Sequence, residues 1–285
     1  MNAMVADILP PEKRQTGYAL QYLGINLGVA LGPLVAGVLF NKLLPLLFIG
    51  DAITSFIALY LVAANIEETD PSQTKKNVHL ETEREVKKNV FLALLERPQL
   101  LIFFLVYILY GIIYTQHRFS LPLTMNEIFG HDGTQKFSLL MSTNAFTVIG
   151  LTVVIIAFTS KFHPLANMVL AGISYAIGFG MVGYVNNILL LMVSTVIWTI
   201  GEILVTTNFG VYVANNSPSN YRATFNAFGS ISWAVGSAAG TYLAGLYIKY
   251  YGLKSLWNGI IILSIIASLM MGILRKYGRG RRLNK

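Results

Sequence analysis

Cysteine is missing altogether from this 285-residue chain, and charge is scarce, with lysine, arginine, aspartate and glutamate together making up 12% of it. The first absence excludes a disulfide framework and a thiolate metal site. The second excludes a surface that faces water all round, because soluble domains carry about 25% charged residues. No glycine-rich phosphate loop, catalytic triad or closely spaced carboxylate pair occurs, so ATP-driven chemistry and an enzymatic role lack their motifs. His79, His131 and His163 fall in loops without ligand spacing, so neither a metal nor another cofactor is expected.

What is present is apolar, since 54% of the residues are hydrophobic. A helix needs about 20 predominantly apolar residues to cross the hydrocarbon layer. Eight stretches meet that length, roughly 17–40, 44–66, 100–122, 137–160, 164–185, 188–212, 223–247 and 254–274. Nothing alternates at period two, and backbone groups in lipid must be satisfied internally, so the expected fold class is an all-α, polytopic membrane protein. The net charge of +8 sits between the apolar stretches and in a basic tail, not on one folded face. Nucleic acid is therefore not an expected partner, whereas the lipid bilayer is. If the segment before the first span is cytoplasmic, sixteen lysines and arginines lie inside and five outside. That bias predicts a cell-membrane protein with both termini cytoplasmic. The long polar stretch around Asp70-Pro71-Ser72 marks a boundary, dividing the chain into 1–66, a linker 67–98, a bundle 99–276 and a basic tail 277–285.

One block occurs twice. Val5-Ala6, Pro10, Arg14, Thr16, Ala19, Gly28, Ala30, Gly32 and Ala36-Gly37 return as Val213-Ala214, Pro218, Arg222, Thr224, Ala227, Gly236, Ala238, Gly240 and Ala244-Gly245, each pair 208 positions apart (5 to 213). Widely spaced repeats in an apolar chain are expected of secondary transporters built from two similar halves.

The run Gly24-Ile25-Asn26-Leu27-Gly28-Val29-Ala30-Leu31-Gly32-Pro33-Leu34-Val35-Ala36-Gly37 resembles the antiporter motif in the fifth helix of major facilitator superfamily drug–proton antiporters. The preceding Val5-Ala6-Asp7-Ile8-Leu9-Pro10-Pro11-Glu12-Lys13-Arg14 is similar to their loop between helices four and five, with Ala36 departing from the usual glycine. The resemblance covers essentially the whole chain. It implies the major facilitator fold, with the eight spans standing for helices five to twelve of twelve. The repeat agrees, because it equates the first span with the seventh and so makes six spans a half. The chain is thus expected to be an N-terminally truncated member, with two helices of the first bundle and a complete second bundle. Protons and a small organic molecule are the partners that the resemblance implies, and export the direction. Uptake of a sugar or peptide, or a non-transporting membrane fragment, are the alternatives.

Particular residues follow. Glu202 lies mid-span, where a charge costs roughly 2.5–3.5 kcal/mol even on the lenient insertion scale, and is the expected proton-coupling site. Asp51, nearer a span end, is a second acidic candidate with a structural or gating role. Gly24, Gly28, Gly32 and Gly37, with Pro33, mark a narrow helix face that a neighbouring helix approaches closely. Gln116, Asn144, Trp198 and Asn208 are candidates for a substrate cavity, with helix packing as the competing role. Arg14 and Arg222, in matched positions of the two repeats, are candidates for a cytoplasmic gate. His117 and Arg118 are expected to snorkel at the outer interface.

Overall fold

The computed structural model describes residues 2–40, 44–65 and 89–283, and among these every regular element is a helix. In chain order they are α1 (Asn2–Ile8), α2 (Pro11–Phe40), α3 (Leu44–Asn65), α4 (Val90–Leu95), α5 (Pro98–Tyr114), α6 (Ser120–Phe129), α7 (Gly133–Thr159), α8 (Pro164–Val182), α9 (Ile188–Asn216), α10 (Arg222–Tyr251) and α11 (Leu253–Leu283). Phe48–Asn65, Pro98–Thr159, Pro164–Val182, Ile188–Asn216 and Leu253–Tyr277 are apolar and long enough to cross a membrane. Helices α2 and α10, of 30 residues each, are longer than a span needs but richer in small and hydroxylated residues.

Local chemistry sets the boundaries. Pro98 and Pro164 open α5 and α8, where a missing N–H costs nothing. The Asn187 side chain accepts hydrogen bonds from the Leu189 and Leu190 N–H groups at 2.9 and 3.4 Å, capping α9. A single residue joins α10 to α11: Gly252, at φ +82°, a conformation that suits glycine. The expected span 100–122 is not one helix. Thr115–His117 tightens into a 3-10 turn and the chain restarts at Ser120. Pro122 falls in the first turn of α6, among donors that have no intrahelical partner. The basic tail expected from 277 continues as helix to Leu283. Most of the expected linker, residues 66–88, lies outside the described residues.

Helices α5 to α11 pack into one bundle, in which α8 lies against α9 and α11, and α10 against α5. Small residues set the closest approach. A methyl group added at Gly240 would stand 2.8 Å from the Ile112 Cα, and one at Gly111 3.1 Å from the Gly236 Cα, so α5 and α10 touch backbone to backbone. Trp198, Trp257, Tyr110, Tyr175 and Phe179 fill the interior. Polar tips find partners across helices: the Tyr110 hydroxyl donates to the Met168 carbonyl at 2.7 Å, and the Trp257 Nε1–H to Thr124 at 3.1 Å. Such bonds average about 0.6 kcal/mol in a membrane helix bundle, so packing carries most of the cohesion. The hydroxyls of Thr147, Thr152 and Thr159 on α7, and of Thr195, Thr199 and Thr207 on α9, turn back to the carbonyls four residues earlier.

Helix α2 lies against α9 and α7, while α3 touches α2 and shows most of its apolar side chains, Phe56, Leu59 and Tyr60 among them, on the outside. Apolar side chains turned outward in this way suit lipid, and the whole is a multi-pass membrane architecture.

Candidate functional site

The centre of the site is Glu202, on α9 and 8% exposed. Its two carboxylate oxygens are held from two helices. The Tyr22 hydroxyl, on α2, donates to Oε1 at 2.6 Å. The Asn144 Nδ2, on α7, donates to Oε2 at 2.7 Å and to the Thr199 Oγ1 at 2.9 Å. Tyr114 and Arg118 are near enough to act on the carboxyl electrostatically. A donor on each oxygen makes this a site built to hold a carboxyl inside an apolar bundle.

Two sequence candidates, Glu202 and Asn144, therefore come together. Trp198 lies one turn before Glu202 on the same face and is fully buried. Its ring stacks on Phe179 at 5.3 Å and on His117 at 5.7 Å. His117 does not snorkel: it is 6% exposed, and its Nε2 accepts a hydrogen bond from the Arg118 Nε–H at 3.2 Å. Because Nε2 accepts, Nδ1 carries the ring hydrogen and donates it to the Tyr114 carbonyl at 2.5 Å. The break after α5 turns this side chain inward.

Gln116 and Asn208 are stitched into the bundle. Gln116 donates to the Ile112 and Gly240 carbonyls at 2.9 and 3.2 Å and accepts from Ser120 at 2.6 Å, holding the α5–α6 break against α10. Asn208 accepts from Asn167 at 2.8 Å, joining α9 to α8. Asp51 lies exposed on α3, apart from Glu202.

Beside Glu202 lies a cavity of about 390 Å³ between α2, α5, α9 and α10, walled by rings of Tyr18, Tyr22, Tyr107, Phe209 and Trp233. None of Gln116, Asn144, Trp198 and Asn208 is among its lining residues. Gly210 is what lets α2 close on α9, since a methyl group there would stand 2.6 Å from the Tyr18 ring. Tyr22 is the residue of this site that sequence reasoning missed. A tyrosine in an apolar helix reads as packing, and its partner is 180 residues away in the sequence.

One turn before Tyr18 on α2, and at the start of α10, the two matched arginines close a second arrangement. Arg14, fully buried, donates to the Ala6 and Leu9 carbonyls at 3.1 and 3.2 Å and to the Asn215 side chain at 2.5 Å. Arg222, 1% exposed, forms an ion pair with Asp7. Positions 7 and 215 are themselves repeat equivalents, so each half's arginine grips the same place in the other half. This reciprocity is that of a two-fold interface, written within one chain. Arg97 adds a bond to the Asn216 carbonyl at 2.5 Å.

Gly24 and Gly28 lie on the exposed part of α2, and nothing stands within 4 Å of a methyl group added at either. Gly32, Pro33 and Gly37 belong to α2, but their surroundings lie outside the described residues.

Comparison with known proteins completes the picture. The family model described as Major Facilitator Superfamily matches residues 1–241. An uncharacterized MFS-type transporter, YqjV of Bacillus subtilis (strain 168), is 23% identical over 276 residues, covering 92% of this chain and 65% of its own length. A Na(+), Li(+), K(+)/H(+) antiporter of Planococcus maritimus is 23% identical over 263 residues, covering 82% of this chain and 60% of its own. The chain thus spans less than two-thirds of either relative. The crystal structure of the human organic anion transporter MFSD10 (TETRAN) superposes with a TM-score of 0.72 at 18% identity, over 95% of this chain and 66% of that one, a likeness of fold.

Proposed function

This chain belongs to the Major Facilitator Superfamily, and on that premise we propose that it works as a secondary active transporter that moves a small organic molecule outward in exchange for protons by alternating access. One observation carries the reading: a buried carboxyl on α9, held by Tyr22 from the first half and Asn144 from the second, stands one hydrogen bond from an aromatic-walled cavity between α2, α5, α9 and α10. Intramembrane acids that face a cavity mark ion or proton pathways. Glu202 takes the proton, and the cavity takes the substrate. Arg14 and Arg222, clasping the opposite repeats, form the cytoplasmic gate. The positive-inside pattern supports a cytoplasmic position for that face and for both termini, and the protein acts in the cell membrane. Residues 1–66 belong to the first bundle and 99–276 to the second, joined by 67–98.

The name of the Planococcus maritimus relative favours a second substrate class, alkali cations exchanged for protons. The test is proton counterflow in vesicles containing the reconstituted chain, followed with an internal pH indicator. Organic molecules are added in one series, and sodium, lithium or potassium in the other. Wild type is expected to move protons on addition of one class, and Glu202→Gln to move none. Equal counterflow in the two proteins overturns the proton assignment, and no counterflow from wild type with any addition favours a non-transporting role.

A further inference from the structure

Among the described residues, Tyr22 alone both lines the cavity and hydrogen-bonds to Glu202. The surrounding bonds decide what that double position does. The Thr199 hydroxyl commits its hydrogen to the Thr195 carbonyl at 2.6 Å. Its oxygen is thus an acceptor, which requires Asn144 to present its NH2 group to Thr199 and, with it, to Glu202 Oε2. An amide nitrogen only donates, so Oε2 faces a donor whatever the charge of the carboxyl. Oε1 faces a phenol, which donates or accepts equally well. A proton arriving on Glu202 therefore settles on Oε1 and points at the Tyr22 oxygen. The Tyr22 hydrogen, which had pointed at Oε1, turns away. No bond of the phenol breaks, and one proton has been taken up, by the carboxyl.

We infer that Tyr22 is the residue that couples the cavity to the proton site, by reversing its hydrogen bond when Glu202 changes charge. With Glu202 ionised, the cavity sees an accepting oxygen backed by negative charge, which favours a cationic or hydrogen-bond-donating ligand. With Glu202 protonated, the cavity sees a donor, and such a ligand is released. The inference rests on Glu202 being the proton site. The other titratable or charged groups facing Glu202 are Tyr114 from α5, Tyr175 from α8 and Arg118 from the turn after α5, and none of these three lines the cavity.

The experiment needs no ligand. It is pH-difference infrared spectroscopy of the reconstituted chain, comparing wild type with Glu202→Gln, Tyr22→Phe and Tyr114→Phe. The expected wild-type spectrum holds a protonated-carboxyl band that Glu202→Gln removes. It also holds a phenol band that titrates in step and is lost in both Tyr22→Phe and Glu202→Gln but kept in Tyr114→Phe. Since Glu202→Gln leaves Tyr22 itself intact, loss of the phenol band there does not depend on the tyrosine variant folding. A Glu202 carboxyl band with no Tyr22-dependent phenol band overturns the coupling role while the proton site stands. Absence of any band that Glu202→Gln removes overturns the proton site itself, and the coupling role with it.

Discussion

Asp7 and Asn215 hold equivalent places in the repeated block, yet one is charged and the other is not, so the two arms of the clasp differ in strength. Removing Asp7 leaves the buried Arg222 guanidinium without its counter-charge, and breaking such a pair from one side costs about 3–5 kcal/mol when both partners are buried. Asp7 keeps some exposure, so Asp7→Ala is expected near the bottom of that range. Asn215→Ala removes a neutral acceptor from Arg14 and is expected to cost about 1.5–3 kcal/mol, the value of a hydrogen bond to a charged group. Thermal unfolding of the purified protein in detergent checks this order, and a larger loss in Asn215→Ala would contradict it. At this scale the sequence was partly legible. A carboxylate in the middle of an apolar helix announces Glu202, because the cost of burying it demands a use. Tyr22 makes no such announcement. Its meaning depends on a partner 180 positions away, and no local spacing encodes that distance. His117 misled for the opposite reason: polar residues near a span end normally reach for water, and only the break after Tyr114 turns this one inward.

At the scale of elements, the repeat made α2 and α10 legible as the same helix used twice, and the structure shows them used differently. On α10, Gly236 and Gly240 meet the backbone of α5. On α2, the equivalent of Gly236 is Gly28, and nothing of the described chain stands against it. The same substitution should therefore have opposite outcomes. Gly236→Leu forces α5 and α10 apart and is expected to cost at least the roughly 1–3 kcal/mol typical of overpacking. Gly28→Leu is expected to stay within about 0.5 kcal/mol of wild type, as surface substitutions do. Comparing the unfolding temperatures of the two variants decides, and equal losses would mean that α2 is packed on that face too. Apolar stretches were legible from hydropathy, whereas the 3-10 turn at Thr115–His117 was not: Pro122, with no N–H for the Arg118 carbonyl, favours a break nearby, but the turn itself is held by the contacts of Gln116 with Gly240 and Ser120.

For the whole molecule, the even number of expected spans and the charge bias give an orientation that is simple to test, because a chain without cysteine accepts single-cysteine probes against no background. Lys161 and Asn186 are exposed and lie at opposite ends of α8. A membrane-impermeant maleimide added to intact cells is expected to label Asn186→Cys and spare Lys161→Cys, and the reverse pattern would invert the topology. Finally, the six threonines that turn back on α7 and α9 bear on leakage. Each has spent its only hydrogen on its own helix's carbonyl, so none of them is set to pass a proton along by rotating, as the links of a conducting wire must. A proton bound for Glu202 therefore travels by some route other than these six side chains, which insulate the two helices that carry them.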